Sequence, residues 1–146
     1  MSLPTGWTVQ GPQTSDGETG FQIDSGDGGI QGQVGILDLD NPTAPTSQVT
    51  ALETEDITIL ALQVDGTEVG STNVQVTEPV HLVTVAGESC ARMGVQSTYQ
   101  GSTSDGLYLN CRYQNILYNV MLNSTSLSTA QLDTAMSPLV DSWTWH

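Results

Sequence analysis

The sequence predicts an α+β fold, an antiparallel sheet followed by a closing helix, and two observations in the last third of the chain support this prediction. Leu132, Met136, Leu139 and Trp143 recur at spacings of four, three and four, which predicts the buried stripe of an amphipathic helix. Before this stripe, β-branched, aromatic and aliphatic residues form three short runs typical of an antiparallel meander. These runs are Ala91–Tyr99, Leu107–Tyr113 and Ile116–Leu122.

The N-terminal part of the chain predicts a hairpin and a longer strand. Two short strand-like pieces, Gly6–Val9 and Phe21–Asp24, flank Gly11–Gly20, a run of turn-forming residues. A second turn at Asp24–Gly29 leads into a strand over Ile30–Leu39, in which the even-numbered residues from 30 to 36 share one face.

The middle of the chain is ambiguous. Thr54–Val64 carries apolar residues at helical spacing behind a candidate Thr54 cap, but its β-branched content also suits a strand. Farther on, Asn73–Thr77 and Val80–Val85 predict strands interrupted at Glu78-Pro79, where proline favours a bend or an edge strand.

The closing helix has a predicted start and one anomaly. Ser128 and Gln131 have the spacing of a capping box, and Asp133 is expected to complement the helix dipole. Pro138 removes one helical hydrogen bond, but the apolar stripe continues beyond it. We therefore expect a bent helix that continues past Pro138.

Composition excludes some partners. The formal net charge is −14, and the basic side chains are Arg92 and Arg112, with no lysine. This charge repels phosphate backbones and anionic lipid surfaces. Nucleic-acid binding is therefore not expected.

The 146 residues suit one domain, predicted over residues 4–146. Met1-Ser2-Leu3 resembles a vector-derived start, and these three residues are set aside as expression-vector residues. No run of 18 apolar residues indicates a membrane span, and an export signal or lipid anchor is expected on a longer precursor.

Cys90 and Cys111 lie 21 residues apart on either side of a predicted polar, glycine-containing turn, Gln100–Gly106. A disulfide between them would indicate an oxidising compartment, whereas the alternative is two buried free thiols. A turn centred on Thr103 would place Cys90 opposite Ile116, too far from Cys111 to bond. The pairing requires an early turn near Gln100-Gly101, a bulge, or a Cys90 that reaches across from the preceding loop.

The order of elements resembles the PsbP/Mog1-like fold of secreted actinobacterial lipoproteins of the LpqN type. The resemblance rests on an opening Gly6-Trp7, Gly87 after a strand, Tyr118 on the last strand and a closing Ser142-Trp143. It implies a twisted antiparallel sheet flanked by helices on both faces, an α/β/α sandwich. It also implies a domain that binds partners, without a shared catalytic residue.

Catalytic and metal-binding patterns are weak. Gly87–Ala91 has the outline of a nucleophile elbow around Ser89, but strand rather than helix follows it, and His81 is the single internal histidine. The two cysteines and this histidine do not supply a zinc site. The Asp-rich turns Asp24–Gly28 and Asp38–Asn41 depart from the EF-hand pattern. We expect no catalytic residue, no metal and no cofactor.

Surface recognition is the remaining class of function. Aromatic side chains outside the core could form a binding patch, and Trp145 and Tyr108 are the candidate interaction residues. The predicted function is a non-catalytic extracytoplasmic domain that binds another cell-envelope protein. The alternatives are a carrier with an apolar cavity near Trp143, and a hydrolase that uses Ser89 or a pair of aspartates.

Overall fold

A computed structural model describes residues 1–15, 17–40 and 71–145, which form an antiparallel sheet with a helix packed on one face. The first three strands are β1 Thr8–Ser15, β2 Glu18–Asp24 and β3 Gln31–Asp38. The other four are β4 Ser71–Val85, β5 Glu88–Tyr99, β6 Ser102–Tyr113 and β7 Ile116–Ser124. The helix α1 spans Thr129–Asp141. The predicted α+β class is confirmed, whereas the helix predicted over Thr54–Val64 lies outside the described residues.

The strand order in the sheet is β1-β2-β3-β7-β6-β5-β4. Strands β4 to β7 form the predicted meander, in which two-residue turns join successive strands. The central residues of two turns, Ala86-Gly87 and Gln100-Gly101, have positive φ (48° and 90°, then 48° and 82°). Such turns match the twist of an antiparallel pair. The long turn predicted over Gln100–Gly106 was wrong, because Ser102 already pairs with Tyr99 and the polar residues after it continue the strand.

The N-terminal hairpin is present, but its predicted turn over Gly11–Gly20 was also too long. β1 continues to Ser15 and β2 begins at Glu18. The glycine and proline at 11 and 12 lie within β1, where the register shifts between Gln10 and Gln13. A bulge in an edge strand accommodates proline because the missing N–H is not needed by an inner neighbour.

β4, at the other edge of the described sheet, also contains a bulge near a proline. The strand is continuous through Glu78 and Pro79, and its register against β5 shifts on both sides of Glu78. The edge position predicted from Pro79 is therefore confirmed, but the strand is bulged rather than divided.

Pleating gives the sheet two faces with different roles. The helix face carries the main core, in which Leu107, Leu122 and Leu132 are fully buried. The predicted helix stripe is confirmed, because Met136 and Leu139 are 1% exposed and Trp143 is 8% exposed. We call the other side of the sheet the opposite face.

The ends of α1 follow the sequence signals with one correction. The backbone N–H of Ser128 donates a hydrogen bond to Gln131 Oε1 (3.0 Å), as in a capping box. The helix continues past Pro138 to Asp141, as expected. The dipole role predicted for Asp133 was wrong, because this residue lies beyond the first turn, where the dipole effect has faded, and pairs with Arg92.

The N-terminal residues contact the end of this helix. The backbone N–H of Ser2 donates to Ser142 Oγ (2.7 Å), and Leu3 packs against the main core. The residues set aside in the sequence therefore have contacts in the structure.

Arg92 joins three elements on the helix face. Its Nε lies 2.7 Å from Glu78 Oε1 on β4, and its Nη1 pairs with Asp133 Oδ1 on α1. Burial lowers the pKa of Arg92, but the hydrogen bonds from its guanidinium to Glu78 and Asp133 outweigh this effect, and the pKa is raised. One cation thus holds two carboxylates between the helix and the edge strand.

We expect Arg92→Ala to lower the free energy of unfolding by about 2 kcal/mol, less than for a fully buried pair because Asp133 is partly exposed. Two partly buried carboxylates then lose their cation. Asp133→Ala leaves Arg92 paired with Glu78, and we expect a smaller loss. Urea unfolding of both variants measures the difference, and an unchanged free energy of unfolding in both would show that the Arg92 network adds nothing to stability.

Candidate functional site

Cys90 and Cys111 lie directly opposite each other on β5 and β6, with their α-carbons 4.4 Å apart and their sulfurs bonded. Of the three possibilities left open by the sequence, the structure has the early turn at Gln100-Gly101. The two residues are 1% and 2% exposed, inside the main core. Closing a 21-residue separation stabilises the fold by about 3 kcal/mol in the chain-entropy model.

The candidate catalytic residues do not converge. Ser89 lies within β5 opposite Thr84, so it is not on a strand-to-helix elbow. His81 lies opposite Arg92, three positions farther along the same strand pair, or about 10 Å. Nδ1 of the His81 ring is hydrogen-bonded to the carbonyl oxygen of Pro79 (2.9 Å). The arrangement cannot activate Ser89 as a nucleophile.

The Asp-rich turns use their oxygens internally. Asp27 Oδ1 accepts hydrogen bonds from Ser25 Oγ (2.6 Å) and from the backbone of Gly29 (3.0 Å). Both carboxylate oxygens of Asp40 accept from Asn115 Nδ2 at 3.1 Å. Within the ranges that the structure describes, no three His, Cys, Asp or Glu side chains are grouped to hold a metal ion.

Four aromatic rings pack together near the end of α1. Trp145 stacks on Tyr113 with ring centroids 5.2 Å apart and contacts Trp143 and Tyr118 at 5.3 Å each. Its Nε1–H also donates to the carbonyl of Val85 (3.2 Å). Trp145 is thus half-buried, with less free surface than its position next to the C-terminus suggested.

A polar groove crosses the opposite face of the sheet, and sequence reasoning missed it. One part, of about 380 Å³, is lined by Gln13, Glu18, Gln22, Gln31, Gln33 and Asn123 among others. The second part, of about 700 Å³, shares Gln31 and Asn123 and extends to Ser97, Tyr99, Ser102, Ser104 and Thr125. The signal in the sequence was the alternation of glutamines, which places Gln31 and Gln33 on one face of β3.

Glycines and aromatic rings shape this polar groove. Gly20 lies opposite Gly35, and the side chains of Gln33 and Glu18 reach over these two glycines. A Cβ on Gly106 would lie 2.9 Å from Tyr108 Cε2 and 2.7 Å from Asn123 Oδ1. The half-buried Tyr108 ring therefore passes over Gly106 at the margin of the groove. Tyr99 stands at one end and is 52% exposed.

A smaller cleft of about 280 Å³ lies between the N-terminal segment and α1, where Trp7, Leu127 and Pro138 contribute to its walls. The carrier alternative predicts a cavity at Trp143, and this residue does not line the cleft. Trp143 instead packs edge-on against Tyr118, with ring centroids 5.8 Å apart.

No helix formed by the described residues has both the length and the apolar character needed to cross a membrane.

The comparisons with known proteins show the fold. No protein-family model matches the sequence, and no curated protein matches it. The structure is similar to cyanobacterial PsbP (CyanoP) from Synechocystis, with a TM-score of 0.56 and 13% identity over 95% of this chain and 79% of that one. It is similar to LpqN, involved in cell envelope biogenesis of Mycobacterium tuberculosis, with a TM-score of 0.56 and 14% identity over 97% and 79%. A protein of unknown function from Pseudomonas aeruginosa matches with a TM-score of 0.54 and 9% identity over 92% and 86%.

The turn at Asp27, whose glycines line the polar groove, gives a titration prediction. The hydrogen bond from Ser25, followed by that from Gly29, holds the pKa of Asp27 below its ordinary value of 3.8. A lowered pKa in the folded state stabilises the turn above the pKa of the unfolded chain, and this contribution is lost as the pH falls through the folded value. We expect Ser25→Ala to raise the pKa of Asp27 toward 3.8.

Carboxyl ¹³C NMR titration measures this shift, with Ser89→Ala as a control that removes an exposed hydroxyl on β5, three strands beyond β3 in the sheet. An unchanged Asp27 titration in Ser25→Ala would contradict the assignment of the cause.

Proposed function

We propose that this chain, which has the PsbP/Mog1-like fold, is a non-catalytic extracytoplasmic domain that binds another protein of the cell envelope. The observation that carries the proposal is the buried Cys90–Cys111 disulfide in the middle of a hairpin. Disulfides of this kind persist in oxidising compartments and are rare in the cytosol. The involvement of LpqN in cell envelope biogenesis supports the same location.

The absence of catalysis is part of the proposal. The pattern around Ser89 is the sequence feature that most resembles a nucleophile site, and its strand position and separation from His81 oppose that role. Catalysis by a pair of aspartates is not supported either, because the described turns hold Asp27 and Asp40 in hydrogen bonds to their neighbours. The proposed role is therefore recognition.

A second helix layer is also proposed, on the opposite face. Leu37 and Leu117 are cross-strand partners on that face, and they are 2% and 8% exposed. Apolar side chains this well buried require a covering layer. Such a layer completes the α/β/α sandwich that the resemblance implies.

Tyr108 and Trp145 remain the proposed interaction residues. Both are half-buried, and each combines an apolar ring with a polar group, the type of side chain that is enriched at protein interfaces. A lipid anchor on a longer precursor is proposed as the means by which the domain stays at the envelope.

Site-specific photo-crosslinking tests the partner. We expect a benzoyl-phenylalanine at position 108 or 145 to give one discrete adduct with an envelope protein, identified by mass spectrometry. The matched control is the same side chain at exposed Ala130 on α1, which should give none. Intact mass without reducing agent should show the oxidised pair, unreactive to alkylation. Free thiols, or adducts at none of the positions or equally at all three, would contradict the proposal.

A further inference from the structure

We propose that the polar groove on the opposite face binds a neutral oligosaccharide. This inference goes beyond the proposed protein partner: Tyr108 lies at the margin of the groove, but the amides and hydroxyls inside it suit a different class of ligand. It rests on the kind of groups that line the groove, their availability, the shape of its floor and the exposed ring at its end.

The lining is rich in hydrogen-bonding groups and nearly uncharged. Amides and hydroxyls predominate, and among the described residues of both parts Glu18 is the one carboxylate. An amide offers two donors and an acceptor, and a sugar hydroxyl offers one donor and two acceptors. Neighbouring hydroxyls of a sugar can therefore pair with a row of amides without transferring any charge into the site.

Charge argues against the other polar ligands. An anionic ligand would meet a chain with a net charge of −14. Neither arginine is among the residues that line the groove. A single carboxylate, Glu18, does not make a site for a polycation. A neutral ligand fits this lining best.

The amides are also free to bind. Gln22, Gln31 and Gln33 are exposed, and no described protein group is hydrogen-bonded to their side chains. The side-chain amides of Asn110 and Asn119 are not available in this way, because the Asn119 amide donates a hydrogen bond to Asn110 Oδ1. Pleating places these three amides on one face of neighbouring strands, where one ligand can reach all of them.

Shape and size suit a chain of sugars. Gly20 contributes no side chain of its own to the floor of the first part. The groove runs across strands β1, β2, β3, β7, β6 and β5, or about 24 Å at the usual spacing between strands. Tyr99 stands at one end with 52% of its surface exposed, and such a ring can pack against the C–H face of a sugar.

A peptide ligand is less well matched. Extended peptides bind a sheet through main-chain hydrogen bonds at an edge strand. The backbone groups beneath the groove are already used between neighbouring strands such as β3 and β7.

Titration by ¹H–¹⁵N NMR tests the inference on the purified chain, so a missing protein partner does not affect the result. The probes are linear neutral tetrasaccharides of glucose, galactose, mannose and arabinose. We expect saturable shifts of the side-chain NH₂ signals of Gln31, Gln33 and Asn123, without shifts of Gln75 on edge strand β4. A charged tetragalacturonate and an uncharged extended hexapeptide serve as comparison ligands.

Four variants test the contacts. Gln31→Ala should weaken the affinity about tenfold, because one amide makes hydrogen bonds in both parts of the groove. Gln75→Ala, the matched control, should have no effect. Tyr99→Ala should weaken binding while Tyr99→Phe retains it, which separates stacking from the hydroxyl.

Gly20→Val should abolish binding by filling the floor. A Cβ there would lie 3.4 Å from flexible Gln33 Nε2, so the fold should tolerate the change, and thermal unfolding checks this. The inference is overturned if no neutral tetrasaccharide gives saturable shifts, if Gln31→Ala and Gly20→Val bind as the unchanged chain does, or if the peptide or the galacturonate binds more tightly.

Discussion

The register between β5 and β6 is the constraint on which the rest of the structure depends. Two residues with positive φ, Gln100 and Gly101, close this hairpin and place Cys90 opposite Cys111. Because side chains alternate along a strand, a slip of one residue would send every side chain of β5 to the other face. The disulfide then fixes the register chemically, at a position where both sulfurs lie in the core.

Both faces of the sheet depend on this register. On the helix face, Arg92 comes between Glu78 and Asp133 and connects α1 with the bulged edge strand. Gly94 faces α1 so closely that a Cβ there would overlap Thr129 Cγ2, which explains a glycine inside a central strand. On the opposite face, the same register brings Ser97 and Tyr99 to the end of the polar groove. The pairing of β5 with β6 therefore positions residues of both the core and the polar groove.

Much of the fold followed from local patterns, whereas the surfaces did not. The stripe of α1 and the three C-terminal strands were predictable because a period of 3.6 or 2 records burial directly. Turn lengths were misjudged where polar residues such as Ser102 continue a strand at its exposed end. The roles of Asp133 and Trp145 depended on partners distant in sequence, Arg92 and Tyr113. The polar groove was missed because its residues come from six strands, and no local pattern shows that they are neighbours.

The most direct test of this account is the set of Hα–Hα nuclear Overhauser effects between β5 and β6. The 4.4 Å between the α-carbons of Cys90 and Cys111 identifies a pair without mutual hydrogen bonds, and every second pair has the same short spacing. The account predicts strong cross-peaks between Arg92 and Leu109 and between Gln96 and Asp105. Cross-peaks displaced by one residue, such as Arg92 with Asn110, would contradict it and with it the assignment of both faces.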